Sequence, residues 1–123
     1  MTDAKVVDAS ALAALLFAEP EAENIAKRLE GARLAAPSLL DFELANVCLT
    51  KMRREPSKRD ALRAAFRLAH RVRVETVSVD HAAIVDLAEA TGLTAYDASY
   101  LWLARTLNAE LVTLDRKLAA ASV

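Results

Sequence analysis

Four acidic residues from well-separated parts of the chain are placed where they could hold a hard cation. Asp8 follows the apolar pair Val6-Val7, and Asp115 follows Leu111-Val112-Thr113-Leu114. Asp97 lies three residues after Thr94, and Glu43 sits early in a helical stretch that opens at Ser38. Magnesium and manganese take oxygen donors, and a protein site for them is usually a few carboxylates completed by water and substrate phosphate. Each acid also has a plainer reading. Asp8 and Asp115 can cap the helices that follow them, Asp97 can satisfy a first helical turn or its dipole, and Glu43 can be a solvated helix residue. Ser10 and Thr113 stand close enough in sequence to Asp8 and Asp115 to orient a carboxylate or a water there. Glu43, Asn46 and Thr50 form a polar line at i, i+3 and i+7.

The elements that must position these residues follow from the hydrophobic periodicity. Lys5–Asp8 reads as a short strand running into a helix over Ala11–Phe17, closed by Glu19-Pro20. A helix spans Glu21–Glu30 and stops at Gly31, and Leu34–Ala36 is a brief strand ended by Pro37. Ser38-Leu39-Leu40-Asp41 has the spacing of a capping box and opens a helix to Arg54, with Phe42, Ala45, Leu49 and Met52 as its buried stripe. Pro56 breaks the pattern, and Ser57 to Asp60 repeats the cap-like spacing before a helix to Arg71. The alternating run Val72–Val79 predicts a strand, then Asp80–Thr91 a helix with Gly92 past its end, and Thr94 opens a helix to Leu107. Leu111–Leu114 is the last strand, and a short helix starts at Asp115.

Strands alternating with helices imply right-handed crossovers and a mainly parallel sheet covered on both faces, a three-layer α/β/α, Rossmann-like arrangement. In such sheets ligands bind beyond the carboxyl ends of the strands, where the strand order reverses. Asp8 and Asp115 fall at two of those ends.

The bulk numbers narrow the classes. A chain of 123 residues, 54% hydrophobic and 27% charged, is expected to form one domain over residues 1–123 rather than a disordered segment. Cys48 is the single cysteine, which excludes a disulfide framework or a cysteine zinc site. The apolar run Ala9 to Ala18 lacks a positive leader and is too short to span a bilayer, so a soluble cytoplasmic protein is expected. The net charge of -1 hides a basic segment: residues 51–73 carry nine Lys and Arg against Glu55 and Asp60. Within it Arg59, Arg63, Arg67 and Arg71 recur every four residues. That stripe is suited to phosphates, to an acidic partner segment, or simply to solvent opposite Leu62, Phe66 and Ala69.

Four stretches, taken in order, match a known pattern. They are Val6-Val7-Asp8-Ala9-Ser10-Ala11-Leu12, Pro37 to Val47, Leu93-Thr94-Ala95-Tyr96-Asp97-Ala98-Ser99-Tyr100-Leu101, and Leu111-Val112-Thr113-Leu114-Asp115. With them the chain resembles the PIN-domain ribonucleases, most closely the VapC-type toxins of bacterial toxin–antitoxin systems. The resemblance implies a PIN-like fold and Mg2+- or Mn2+-dependent hydrolysis of RNA phosphodiesters. It assigns metal-site and catalytic roles to Asp8, Glu43, Asp97 and Asp115, with Ser10, Asn46 and Thr113 as supporting groups; Asp41 falls outside the matched positions. It further implies a cognate VapB-type antitoxin lying over the active-site groove, and a homodimer. Such toxins typically continue past the last acidic motif with a helix and a further edge strand, whereas this sequence ends at Ala119-Ala120-Ala121-Ser122-Val123. Neither His70 nor His81 falls in a matched motif, and Tyr100, Leu101 and Trp102 can belong to the core or to a dimer face. Two rivals stand beside this reading: a catalytically silent PIN-fold interaction module, and a phospho-acceptor receiver domain, for which Asp8 lacks the acidic neighbour such a domain needs.

Overall fold

In a computed structural model that describes residues 3–123, four short strands form one parallel sheet in the order β3-β2-β1-β4. They are β1 (Ala4–Val7), β2 (Arg33–Pro37), β3 (Val74–Val77) and β4 (Glu110–Val112). The helices are α1 (Ala9–Leu16), α2 (Ala22–Leu29), α3 (Leu40–Arg54), α4 (Arg59–Arg67), α5 (His81–Thr91), α6 (Ala95–Leu107) and α7 (Arg116–Ala121). Two 3-10 turns, Pro56–Lys58 and Leu68–Arg71, flank α4.

From β1 the chain steps outward through β2 to β3, then jumps back past β1 to β4. Right-handed crossovers in opposite directions put their helices on opposite faces, which produces the expected three layers. α1 packs on α2 and α3, while α6 lies over β1 and β2 and carries α5 and α7 against it. The strand order reverses between β1 and β4, paired from Lys5–Glu110 to Val7–Val112, so the crevice beyond their carboxyl ends is the place for a ligand. The core is built from Val6, Val7, Leu12, Ile25, Leu40, Leu101, Leu103, Val112 and Leu118 with small alanines between them. Tyr100 and Leu101 are buried in it and Trp102 packs against it, so α6 uses these residues as core. No described helix is long and apolar enough to cross a membrane.

Several sequence expectations shift. α1 starts at Ala9 rather than Ala11, because the Asp8 carboxylate already caps the chain there through the Ala11 N–H. Ser38 and Ser57 do not act as caps: α3 begins after Leu39 and α4 after Lys58, both without a side-chain cap. The α-helix expected to reach Arg71 ends at Arg67, where the backbone tightens into a 3-10 turn. β3 is shorter than Val72–Val79, since β2 offers partners only from Leu34 to Pro37.

The largest correction concerns α3. Its buried residues are Leu40, Leu44 and Cys48, with Val47 packed against the core. Phe42 is 82% exposed and Leu49 39%, so the stripe Phe42-Ala45-Leu49-Met52 is not the core face. Both series fit a 3.6-residue period, and α3 is apolar on two sides; packing against α1 and the core, not periodicity, selects which one is covered.

Candidate active site

The carboxyl end of β1 is held by a network of hydroxyl groups. Asp8 is 5% exposed. Its Oδ1 accepts from the Ala11 N–H at 3.0 Å and from the Ser10 hydroxyl at 2.7 Å. Its Oδ2 accepts from the Thr113 hydroxyl at 2.5 Å. Ser10 Oγ in turn accepts from the Leu114 N–H at 2.9 Å, and Thr113 Oγ1 from the Asp115 N–H at 3.0 Å. The segment after β4 is thereby tied to the segment after β1 by two neutral side chains. Asp115 caps α7, its Oδ1 accepting from the Leu118 N–H at 2.8 Å.

Asp97 is placed by α6. Thr94 is the cap, its Oγ1 accepting from the Asp97 N–H at 3.1 Å, which leaves the Asp97 carboxylate free of a capping duty. Glu43, in the first turn of α3, is half-buried and accepts a short hydrogen bond from the Tyr100 hydroxyl on α6. Asp8 and Asp115 do cap the helices that follow them, and this does not compete with a site, because a carboxylate offers about four lone-pair positions and Asp8 uses three of them.

The four acids feel one another. Asp8 has its pKa raised, first by burial and also by Asp115, against the lowering hydrogen bonds from Thr113, Ser10 and Ala11. Glu43 is raised by burial and by Asp97 and Asp8, against the Tyr100 hydrogen bond. Asp97 is raised by burial, then by Asp115 and Asp8, while Thr94 and Lys117 pull it down. Asp115 acts on Asp8 and Asp97, and these two act on Glu43, so the four acids gather beyond the ends of β1 and β4.

The donor set suits a hard divalent ion: every potential ligand is oxygen, and among the described residues none of the four acids forms an ion pair with a basic side chain. Among the described residues no three Asp, Glu, His or Cys side chains stand close enough to grip a single ion together. Asp8 and Asp115 are turned towards protein donors, which accounts for this. Magnesium characteristically retains several waters and takes only one or two carboxylates directly, so the residues fit such an ion held in part through water.

Of the expected supporting groups, Ser10 and Thr113 are in the network. Asn46 is exposed and takes part in none of these hydrogen bonds among the described residues. Tyr100 is the participant that sequence reading missed. Its spacing of three residues from Asp97 puts both on one side of α6, and a buried tyrosine requires a partner for its hydroxyl; these are the signals that could have found it. His70 Nδ1 contacts the Arg67 carbonyl at 2.7 Å, and His81 lines a separate apolar groove.

Arg59, Arg63 and Arg67 are exposed along α4 and, with Ala45, Cys48, Leu49, Met52 and Phe66, line a groove of about 350 Å³ between α3 and α4. Arg71 falls in the following 3-10 turn and does not line the groove, so the expected stripe of four is a stripe of three.

Residues 5–123 match the family model described as the PIN domain. Ribonuclease VapC3 of Pyrobaculum aerophilum is 33% identical over 119 residues, covering 93% of this chain and 91% of that protein. Ribonuclease VapC9 of Mycobacterium tuberculosis is 35% identical over 119 residues, covering 93% and 87%. The crystal structure of PAE2754 from Pyrobaculum aerophilum superposes with a TM-score of 0.80 at 29% identity, covering 99% of this chain and 88% of that one. A match that runs from β1 to the last residue, agreement of the fold and relatives of this similarity lead to one conclusion: the chain belongs to the PIN domain family, among its VapC ribonucleases.

Proposed function

We propose that the chain is a Mg2+- or Mn2+-dependent endoribonuclease that acts as the toxin of a type II toxin–antitoxin pair. The observation that carries this reading is the gathering of Asp8, Glu43, Asp97 and Asp115 beyond the ends of β1 and β4, where the pKa values of Asp8, Glu43 and Asp97 are raised and, among the described residues, none of the four acids forms an ion pair with a basic side chain. Membership among proteins named ribonuclease supplies the substrate class.

Asp8, Asp97 and Asp115 are the groups that would hold the ion, Glu43 directly or through a water. When bound, a divalent ion lowers the pKa of a coordinated water and offsets charge developing on the phosphate. Ser10 and Thr113 keep Asp8 aimed and bring the β4 end to it. Glu43, half-buried beside Asp97 and Asp8, is suited to orient the attacking water. Histidine general-base chemistry has no support, because neither histidine is in the cluster.

The groove between α3 and α4, apolar on its floor and arginine-rich at its rim, suits an amphipathic segment with acidic residues, as a VapB-type antitoxin would supply; the same arginines are candidates for RNA phosphates. The exposed Phe42 and Leu49 support a protein partner or a homodimer rather than a bare surface. The natural setting of such a pair is the cytoplasm.

The test is cleavage of a mixed RNA pool by the chain purified free of partner, with and without Mg2+ or Mn2+, beside Asp8→Asn and Asp97→Asn. Metal-dependent cleavage that both variants lose is the expected result. Absence of cleavage by the wild type, together with no metal-induced rise in Tm, would instead mark a catalytically silent interaction module.

A further inference from the structure

Tyr100 is 1% exposed, yet its hydroxyl does not end on a backbone carbonyl within its own helix. It reaches from α6 to the first turn of α3 and donates to Glu43 Oε1, a residue 57 positions away in sequence. The same phenol lies within electrostatic reach of Asp8 and Asp97, so it stands among three of the four acids. We propose that Tyr100 is a positioning residue for this site: its hydroxyl holds the Glu43 carboxylate facing the acidic cluster, leaving the second carboxylate oxygen for the ion or its water.

The physical need for such a residue follows from the surroundings of Glu43. Asp97 and Asp8 both repel its carboxylate, and Glu43 is only half-buried in the first turn of α3. Left alone, the side chain would turn outward to gain water and escape the like charges. A lysine or arginine could restrain it, but would bring a positive charge into the place meant for a cation. A phenol restrains it with a strong hydrogen bond and no charge. A phenol, with an ordinary pKa of about 10, is a neutral donor near pH 7 without further help.

This proposal rests on the metal-dependent reading above, and a double-mutant cycle separates the two. Wild type, Tyr100→Phe, Glu43→Ala and the double variant are compared by calorimetric titration with Mn2+ and by cleavage of a defined single-stranded RNA, with circular dichroism and urea unfolding to confirm the fold. Removing a group that orients a ligand typically costs about 10- to 100-fold in metal affinity or activity. Tyr100→Phe is therefore expected to lose about that factor in Mn2+ affinity or in kcat, with KM for RNA little changed, and to cost nothing further once Glu43 is alanine. A Tyr100→Phe variant within twofold of wild type in both readouts overturns the proposal. So does a loss of the same size in the Glu43→Ala background, which would mean that Tyr100 acts through packing alone. If the wild type itself neither binds Mn2+ nor cuts RNA, the metal-dependent reading fails and takes this proposal with it; Mn2+ binding without cleavage leaves the binding cycle to decide.

Discussion

Replacing Thr113 by valine removes one hydroxyl and leaves the side-chain shape, so its effect isolates the network that holds Asp8. Thr113 is 8% exposed, donates to Asp8 Oδ2 at 2.5 Å and accepts from the Asp115 N–H at 3.0 Å. The first bond goes to a carboxylate and contributes about 1.5–3 kcal/mol; the second, between neutral groups near solvent, contributes about 0.5–1.5 kcal/mol. No cavity is opened, and the expected loss is about 2–4 kcal/mol. With an unfolding entropy of about 2 cal/mol/K per residue over 123 residues, each kcal/mol lowers Tm by about 4 °C, so Tm should fall by about 8–16 °C. The effect depends on pH with a definite sign. The pKa of Asp8 is already raised in the fold, so between its unfolded and folded values the native state binds more protons, and stability falls as pH rises. Thr113 lowers that pKa; without it the window extends upward, and the gap between wild type and variant widens from acid to neutral pH. Urea unfolding in the presence of a chelator at about pH 5 and pH 7.5 measures both quantities. A loss below about 0.5 kcal/mol at the higher pH, or a gap that narrows as pH rises, would refute the account of Asp8 as a hydroxyl-held carboxylate.

Three further outcomes follow from the same charges. Asp97→Asn should make the metal-free protein slightly more stable at neutral pH, by a few tenths to about 1 kcal/mol after solvent screening, because Asp97 is disfavoured as an anion by burial and by Asp115 and Asp8; thermal unfolding in chelator reads this, and a clear loss of stability would contradict it. Mn2+ at about 100 times its Kd should stabilise the wild type by about 2.7 kcal/mol, a Tm rise of about 10 °C that chelator reverses; scanning fluorimetry suffices, and the rise should shrink in Asp97→Asn. Replacing Arg63 and Arg67 together by alanine should weaken RNA binding and reduce the slope of log K against log salt by about 1.4, about 0.7 for each phosphate contact on a single strand; an unchanged slope would leave the groove between α3 and α4 to a protein partner.

The sheet, its parallel sense and the crevice were legible because the strands are short apolar runs separated by helices with an 11-residue (α5) or 13-residue (α6) span, and that alternation permits few topologies. Gly92, at φ 74°, ended α5 as its position predicted. The convergence of Asp8 and Asp115 was legible for the same reason, since both follow strands that the crossover rule brings together. What escaped was everything that depends on which face meets the core. On α3 the series through Phe42 and Leu49 and the series through Leu40, Leu44 and Cys48 have the same period, and only packing against α1 and the core distinguishes them. The spacing from Asp97 places Tyr100 on the side of α6 near the acids, but its partner Glu43 is on another helix, and that pairing is set by the tertiary fold. The arginine stripe was read one residue too far because nothing in Leu68-Ala69-His70-Arg71 signals the change from α to 3-10.

The donors at this site share a property that bears on how it trades stability for function. Asp8 and Glu43 are restrained by Ser10, Thr113, Tyr100 and backbone amides, all of them neutral, and each of these hydrogen bonds pulls a carboxylate pKa down against the rise caused by burial and by neighbouring acids. These hydrogen bonds favour the ionised forms without supplying a positive charge, while the net shift of Asp8 and Glu43 remains upward. Had the chain used lysine or arginine in these places, the metal-free fold would gain, but the negative field that attracts a divalent cation would be cancelled. Lys117, the cation nearest to Asp97 in its effect, lies at the exposed start of α7, with its ammonium group donating to the Gly92 carbonyl at 2.7 Å instead of bonding a carboxylate. On the metal-dependent reading, stability withheld from the metal-free protein at this place would be returned when a cation binds, so a substitution in the cluster that stabilises the metal-free protein, as expected for Asp97→Asn, should lessen the metal-induced rise in Tm.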